Sequence, residues 1–383
     1  MIMEKLAEAT GGESFRAHKY NLDLVNERPS IEYGEEKQLS CNARGETNPS
    51  RNYRSLAEKS RKLIELGVQY LTYFLDGSRR VFKVDDIAYG KSGGRKIFYP
   101  VIAGQVGIAC CRRRNKKLAP EKFDRRFLLA LPDIADANRL SGFWAACTKK
   151  LNDVDALRRL DIRFEEILRY NTSRDEKKFE DRAVAQIMSF MNKREQETVA
   201  ELVRDGKLNQ NNYLVKDGSL EYLPLDKKAD KQALRRFKNN YCWVLGVSKT
   251  FNPDACLDAR KKANHGFIAE LPLHHRTPAI CFENRDLFGD AKFAVWYIRL
   301  RDKLRTPFDG VIKVEKMLVT EEELKYGMNS EAIDVLSALL INERNPVCYG
   351  SDLRWANHLY PIYLTETFIK SKYIGTAGFL QLF

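Results

Sequence analysis

Three runs rich in valine, isoleucine, tyrosine and phenylalanine crowd into residues 68 to 113, and they constrain the fold more than any other part of the chain. "VQYLTYFLDGSRRVFKVDDIAY" reads as strand, turn, strand, with Asp-Gly as the turn. "KIFYPVIAGQVGIACCRR" reads as a third, mostly buried strand. Strands joined by a tight turn pair antiparallel. Residues 120 to 183 then look mostly helical, and Arg182 to Val203 strongly so. "NNYLVKDGS" is a short buried strand, "KADKQALRRFKNNY" a basic helix and "CWVLGVSKTF" another buried strand. "FAVWYIRLRD" and "GVIKVEKMLV" read as paired strands, and helices around "SEAIDVLSALLINE" and "YLTETFIKSKYI" close the chain.

The order is three strands, helix, strand, helix, strand. It matches an RNase H-like α/β arrangement, a mixed sheet flanked by helices, here with helical insertions and a C-terminal helical segment. Residues 1–50 are polar and read as an arm or linker; one large domain covers 51–383, with insertions at about 120–182 and 252–290. No run of apolar residues is long enough to span a bilayer. The N-terminus carries no basic segment followed by an apolar one, so the expected compartment is the cytoplasm. The eight cysteines show no CxxC spacing and are expected to be buried free thiols. The net charge of +13 suits a polyanionic partner, nucleic acid before a membrane surface.

Asp-Gly-Ser occurs twice at the end of an apolar run, at Asp76 after "YLTYFL" and at Asp217 after "NNYLVK". A buried strand does not carry an aspartate at its end unless the carboxylate is paired or liganded. If the two strands are neighbours, both carboxylates point to one spot, and facing carboxylates repel unless a cation lies between them. Carboxylate oxygens suit Mg²⁺ or Mn²⁺. The helix between them has an apolar stripe of Val184, Ile187, Met188, Met191, Val199 and Leu202, and Glu195 falls within it. Glu197 and Glu201 fall off that seam. Lys249 ends the next strand, placed to bind a phosphate or a developing oxyanion. His265, His274, His275 and His358 are the other acid–base candidates. Arg79 and Arg80, Arg112 and Arg113 of "CRRRNKK", and Arg276 of "LPLHHRTP" are the basic residues expected to meet DNA, with Lys249. "YGKSGGRK" contains Gly-Lys-Ser, but Asp85 stands where a P-loop needs its first glycine, so it reads as a hairpin turn.

"FLDGSRRVFKV", "PVIAGQVGIACCRR", "MNKREQETVAELV", "YLVKDGSLEY", "VLGVSKTF", "WYIRLRD" and "LYPIYLTETFIKS" together resemble a NurA-type nuclease, over about residues 55 to 372. The resemblance implies an RNase H-like core, a homodimer and Mn²⁺- or Mg²⁺-dependent DNA cleavage. In such a core two ions stand roughly 3.5–4 Å apart and clamp a phosphodiester. It further implies a hexameric HerA-type ATPase partner, in DNA end processing or antiphage defence. Asp76 and Asp217 match the family's metal-binding aspartates, and Glu195 its helix glutamate, with Glu197 left open one turn away. The family's late histidine after Tyr-Pro is missing from "YPIYLTETF", where Glu366 or His358 is the substitute. The other reading is an inactive RNase H-like DNA-binding adaptor of an ATPase ring.

Overall fold

The computed structural model describes residues 2–23, 39–90, 95–136, 138, 140–173, 178–220, 231–253, 256, 264–284, 291–346 and 355–383. Ten strands form its central sheet: β1 (Leu39–Arg44), β2 (Leu71–Gly90), β3 (Lys96–Arg114), β4 (Lys117–Pro132), β5 (Phe164–Tyr170), β6 (Tyr213–Asp217), β7 (Val244–Ser248), β8 (Ile280–Asn284), β9 (Ala291–Arg299) and β10 (Val311–Leu318). They run β1-β8-β9-β10-β7-β6-β2-β3-β4-β5 across the sheet. β2, β3 and β4 are antiparallel neighbours, whereas β6 is parallel to β2 and β7 is parallel to β6. The helices that matter here are α1 (Ile2–Thr10), α2 (Ala57–Glu65), α3 (Phe143–Asn152), α4 (Phe179–Arg204), α5 (Lys231–Asn240), α6 (Ser330–Asn342) and α7 (Tyr360–Ser371).

The sheet is covered on both faces. On one, Ile187, Met191, Val199 and Leu202 of α4 pack with Tyr73, Leu75, Ile108 and Leu214. On the other, α6 and the start of α7 pack with Phe74, Val215, Val247 and Trp296. Alternate residues of β2 therefore belong to opposite cores, as the period of two demands. Fully burying residues such as Ile187, Val199 and Leu202 stabilises by about 1.5–3 kcal/mol each. No helix among the described residues is long and apolar enough to cross a membrane.

Four sequence expectations change. The stretch read as strand, turn, strand is one strand of 20 residues. β3 pairs with it through Asp76, Gly77 and Ser78 without a break, so the first Asp-Gly-Ser is not a turn. The region read as mostly helical contains β4, whose outer half alternates polar residues engaged by α4, such as Asp124 with Arg194 and Lys122 with Glu201. Amphipathic polarity of that kind hides a strand from a hydrophobicity reading. Residues 2–21 do not stand off as an arm: α1 buries Ile2, Met3, Leu6 and Ala7, and two short strands, Glu13–Phe15 and Tyr20–Asn21, pair with β2. Cys281 is disulfide-bonded, whereas Cys110, Cys111, Cys147, Cys242 and Cys256 are free. The Gly-rich turn of "YGKSGGRK" lies at residues 91–94, outside the described residues, and β2 and β3 pair up to its two ends.

Candidate active site

The site begins with a register. β2 and β6 pair in parallel as Phe74 with Val215 and Leu75 with Lys216. The next residues of each strand, Asp76 and Asp217, therefore lie side by side and face the side of the sheet that α7 covers. β6 ends at Asp217. Further along β2 that edge is taken up again at Val81, which accepts from the Leu22 N–H and donates to Asp23 Oδ2 at 2.7 Å. Between the two, the segment Asp76–Arg80 has no strand beside it on that edge among the described residues. The sheet is notched there, and polar side chains gather around the notch.

Lys249 directly follows β7, and its Nζ lies 2.8 Å from Asp217 Oδ2. Glu366 comes down from α7 to 4.0 Å from the same ammonium and bonds Lys370, one turn on, at 2.8 Å. His358 is buried at the entry to α7, its ring 6.3 Å from that of Tyr363. Glu195 approaches from the opposite face. It is buried on α4 and pairs with Lys216 at 2.9 Å, and Lys216 also donates to the Asp217 carbonyl at 2.9 Å. A Cβ at position 77 would run into the Glu195 carboxylate, so Gly77 is what lets this carboxylate rest against β2.

The electrostatics single out Asp76. It is 4% exposed, and no ion pair holds it among the described residues. Burial, and then the neighbouring Asp217 carboxylate, push its carboxyl well above the usual range; Lys249 pulls the other way, and Glu366 and Glu195 add to the rise. Burial would raise Glu366 as well, but Lys249 and Lys370 outweigh it and hold that carboxyl low. Burial alone would lower the two lysines. Asp217 and Glu366 hold Lys249 above its usual value instead, and Glu195 does the same for Lys216.

The sequence candidates divide accordingly. Asp76, Asp217, Lys249 and Glu366 meet on one face, and Glu195 reaches the same notch from the other. Glu197 is the outward residue of the helix pair, bonded to Arg194. Arg276 cannot meet DNA: it is fully buried, bonded to Glu46 at 2.9 Å and to Asp334 at 2.6 Å. Arg113 is committed to Glu343 and to the Leu71 carbonyl. Arg79 lies 3.6 Å from Asp23, Arg80 stacks on Tyr373 and Arg112 on Tyr73, all partly buried. His274 and His275 belong to a turn and the short strand after it, where His275 pairs with Ser55.

The sequence reading missed Lys216 and Glu315. Lys216 looked like an ordinary polar position in a short strand, though its alternation with Leu214 already placed it on the α4 face. Glu315, wholly buried on β10, accepts from the Ser219 hydroxyl at 2.8 Å and clamps the second Asp-Gly-Ser. It also pairs with Lys313 at 2.6 Å.

The donor set is all carboxylate, the chemistry of a site for a hard divalent cation. As the side chains are placed, no three of the described His, Cys, Asp or Glu residues converge on one point. Instead the Lys249 ammonium lies between Asp217 and Glu366, and the Lys216 ammonium lies against Glu195.

No protein-family model matches the chain, and no curated protein does. Among solved structures, the crystal structure of the NurA nuclease from Sulfolobus solfataricus is similar at 11% identity and a TM-score of 0.42, covering 82% of this chain and 86% of that one. A likeness at this level carries no chemistry with it.

Proposed function

We propose that the chain is a metal-dependent DNA nuclease with an RNase H-like core. The observation that carries this reading is Asp76: a buried carboxylate with no ion pair, set beside Asp217 and facing Glu366. Such a group either keeps a proton or binds a cation. The strand order β4-β3-β2-β6-β7, antiparallel then parallel, supports the RNase H-like description, and the net charge of +13 supports a nucleic-acid substrate.

Asp76, Asp217 and Glu366 would hold Mn²⁺ or Mg²⁺, with Glu195 completing a second position across the notch. A divalent cation supplies charge neutralisation at the phosphate and a more acidic bound water. The protein's own residues do the rest. β2 and β6 fix the two aspartates in register, and Gly77 gives Glu195 its place. Lys249, once free of Asp217, offers an ammonium to a phosphate oxygen. The backbone edge of Asp76–Arg80, which has no strand beside it among the described residues, is where a strand of DNA would approach. A homodimer working with a HerA-type hexameric translocase, in end processing or antiphage defence, completes the proposal.

Lys216 and Lys249 favour a second reading. Because they already neutralise Glu195 and Asp217, an inactive DNA-binding adaptor fits the same placement. End-labelled linear DNA incubated with the chain and Mn²⁺, with and without a HerA-type ATPase, separates the two. Cleavage that disappears in Asp76→Asn and Asp217→Asn is the expected result. DNA binding with no cleavage under any of these conditions means the adaptor.

A further inference from the structure

We propose that Lys249 is a displaceable internal cation of the carboxylate cluster: its ammonium occupies the place between Asp217 and Glu366 that a divalent ion must take, so the site loads only when this side chain swings out. The inference rests on the metal reading above and adds a control to it.

The geometry distinguishes Lys249 from the other lysines nearby. Lys216 lies inside β6, its ammonium held at once by Glu195 and by the Asp217 carbonyl. Lys370 touches Glu366 from the outside, its side chain half exposed. Lys249 stands just past the end of β7, with its carbonyl accepting from Asn357 Nδ2 at 3.0 Å and its side chain a little more exposed than that of Lys216, 11% against 7%. Its ammonium is 2.8 Å from Asp217 and 4.0 Å from Glu366, and its charge also acts on Asp76. An ammonium in that place adds its repulsion to any ion that approaches the same oxygens, and in a buried place that repulsion is strong. Ion and ammonium therefore compete, and the apparent ion affinity is lowered by the fraction of molecules in which the ammonium is in place. A DNA phosphate offers the displaced lysine a new partner, so DNA and ion binding favour each other by linkage.

The test is a Mn²⁺ titration followed by the EPR signal of free Mn²⁺, on the full wild-type chain, Lys249→Met and Lys249→Arg. Methionine keeps the length and removes the charge. The expected result is at least about tenfold tighter Mn²⁺ binding in Lys249→Met, and no tightening in Lys249→Arg. Equal or weaker binding in Lys249→Met overturns the proposal while leaving the metal site standing. No Mn²⁺ binding by any of the three overturns the metal reading itself. A second measurement needs no variant: reductive methylation of wild-type Lys249, read by peptide mass spectrometry, should rise several-fold when Mn²⁺ is added, with Lys216 unchanged as the internal reference. Unchanged labelling of Lys249 at saturating Mn²⁺ also overturns it.

Discussion

The same tripeptide occurs at Asp76 and at Asp217, and the two copies do different structural work. Asp76-Gly77-Ser78 runs straight through a long strand, paired residue by residue with β3. Asp217-Gly218-Ser219 ends a strand: Gly218 turns with φ +88°, and Glu315 grips Ser219 and the Leu220 N–H from two strands away. Gly77 is needed for space, because Glu195 lies against it, whereas Gly218 is needed for conformation, with only Lys216 Nζ, at 3.8 Å, near its missing Cβ. Asp217 is ion-paired to Lys249, and Asp76 is in no ion pair among the described residues. Identical local sequence thus yields an interior position and a terminus, and the neighbours decide which.

The largest effect separating the copies should come from the aspartates. Asp217→Asn leaves the Lys249 ammonium half-abandoned in a buried place, and should destabilise the ion-free protein by about 3 kcal/mol, read from urea unfolding. An unchanged midpoint would mean the pair is not formed in solution. Gly77→Ala comes next, at about 1–3 kcal/mol, because the new methyl must push Glu195 and Met191 aside. Gly218→Ala should act by backbone strain instead, at about 1–2 kcal/mol. Double mutants with Glu195→Ala distinguish the two mechanisms: the smaller side chain should rescue Gly77→Ala and do nothing for Gly218→Ala.

Asp76→Asn should go the opposite way from Asp217→Asn and stabilise the ion-free protein at neutral pH. The sign follows from the raised carboxyl. A group that holds its proton more tightly when folded contributes stability that is complete below its unfolded pKa and is lost as pH rises through the higher folded value. Wild type without metal should therefore lose stability on that side of the ordinary carboxylate range, and the asparagine variant should not show that component. A variant less stable than wild type at neutral pH would show Asp76 to be satisfied by some other means. The smallest effect belongs to Ser219→Ala, about 1 kcal/mol for one hydrogen bond to a buried carboxylate, seen as a small shift in midpoint.

Much of this was legible before the fold was known. The period of α4 placed Glu195 inward between Met191 and Val199, and four of the six apolar stripe residues are buried with it, whereas Met188 is exposed. The compact apolar run before Asp217 placed a short buried strand there, and β9 and β10, read as paired strands, do pair. The extent of β2 was not legible, since Asp-Gly is turn chemistry wherever a strand partner does not override it. Nor was β4, whose polar outer half shows no apolar period, nor the fates of Arg113 and Arg276, whose partners Glu343 and Glu46 lie more than two hundred residues away in the chain.

Periodicity is a local property, and it settled which segments are helix or short buried strand and which side of each is apolar. Three matters were left to the tertiary structure: that Asp76 and Asp217 share one face while Glu195 comes from the other, that the sheet is notched between them, and that lysines from two different strands occupy the gap. Each depends on the register between segments distant in sequence. That register is set by the packing of whole faces against each other, and no single segment encodes it.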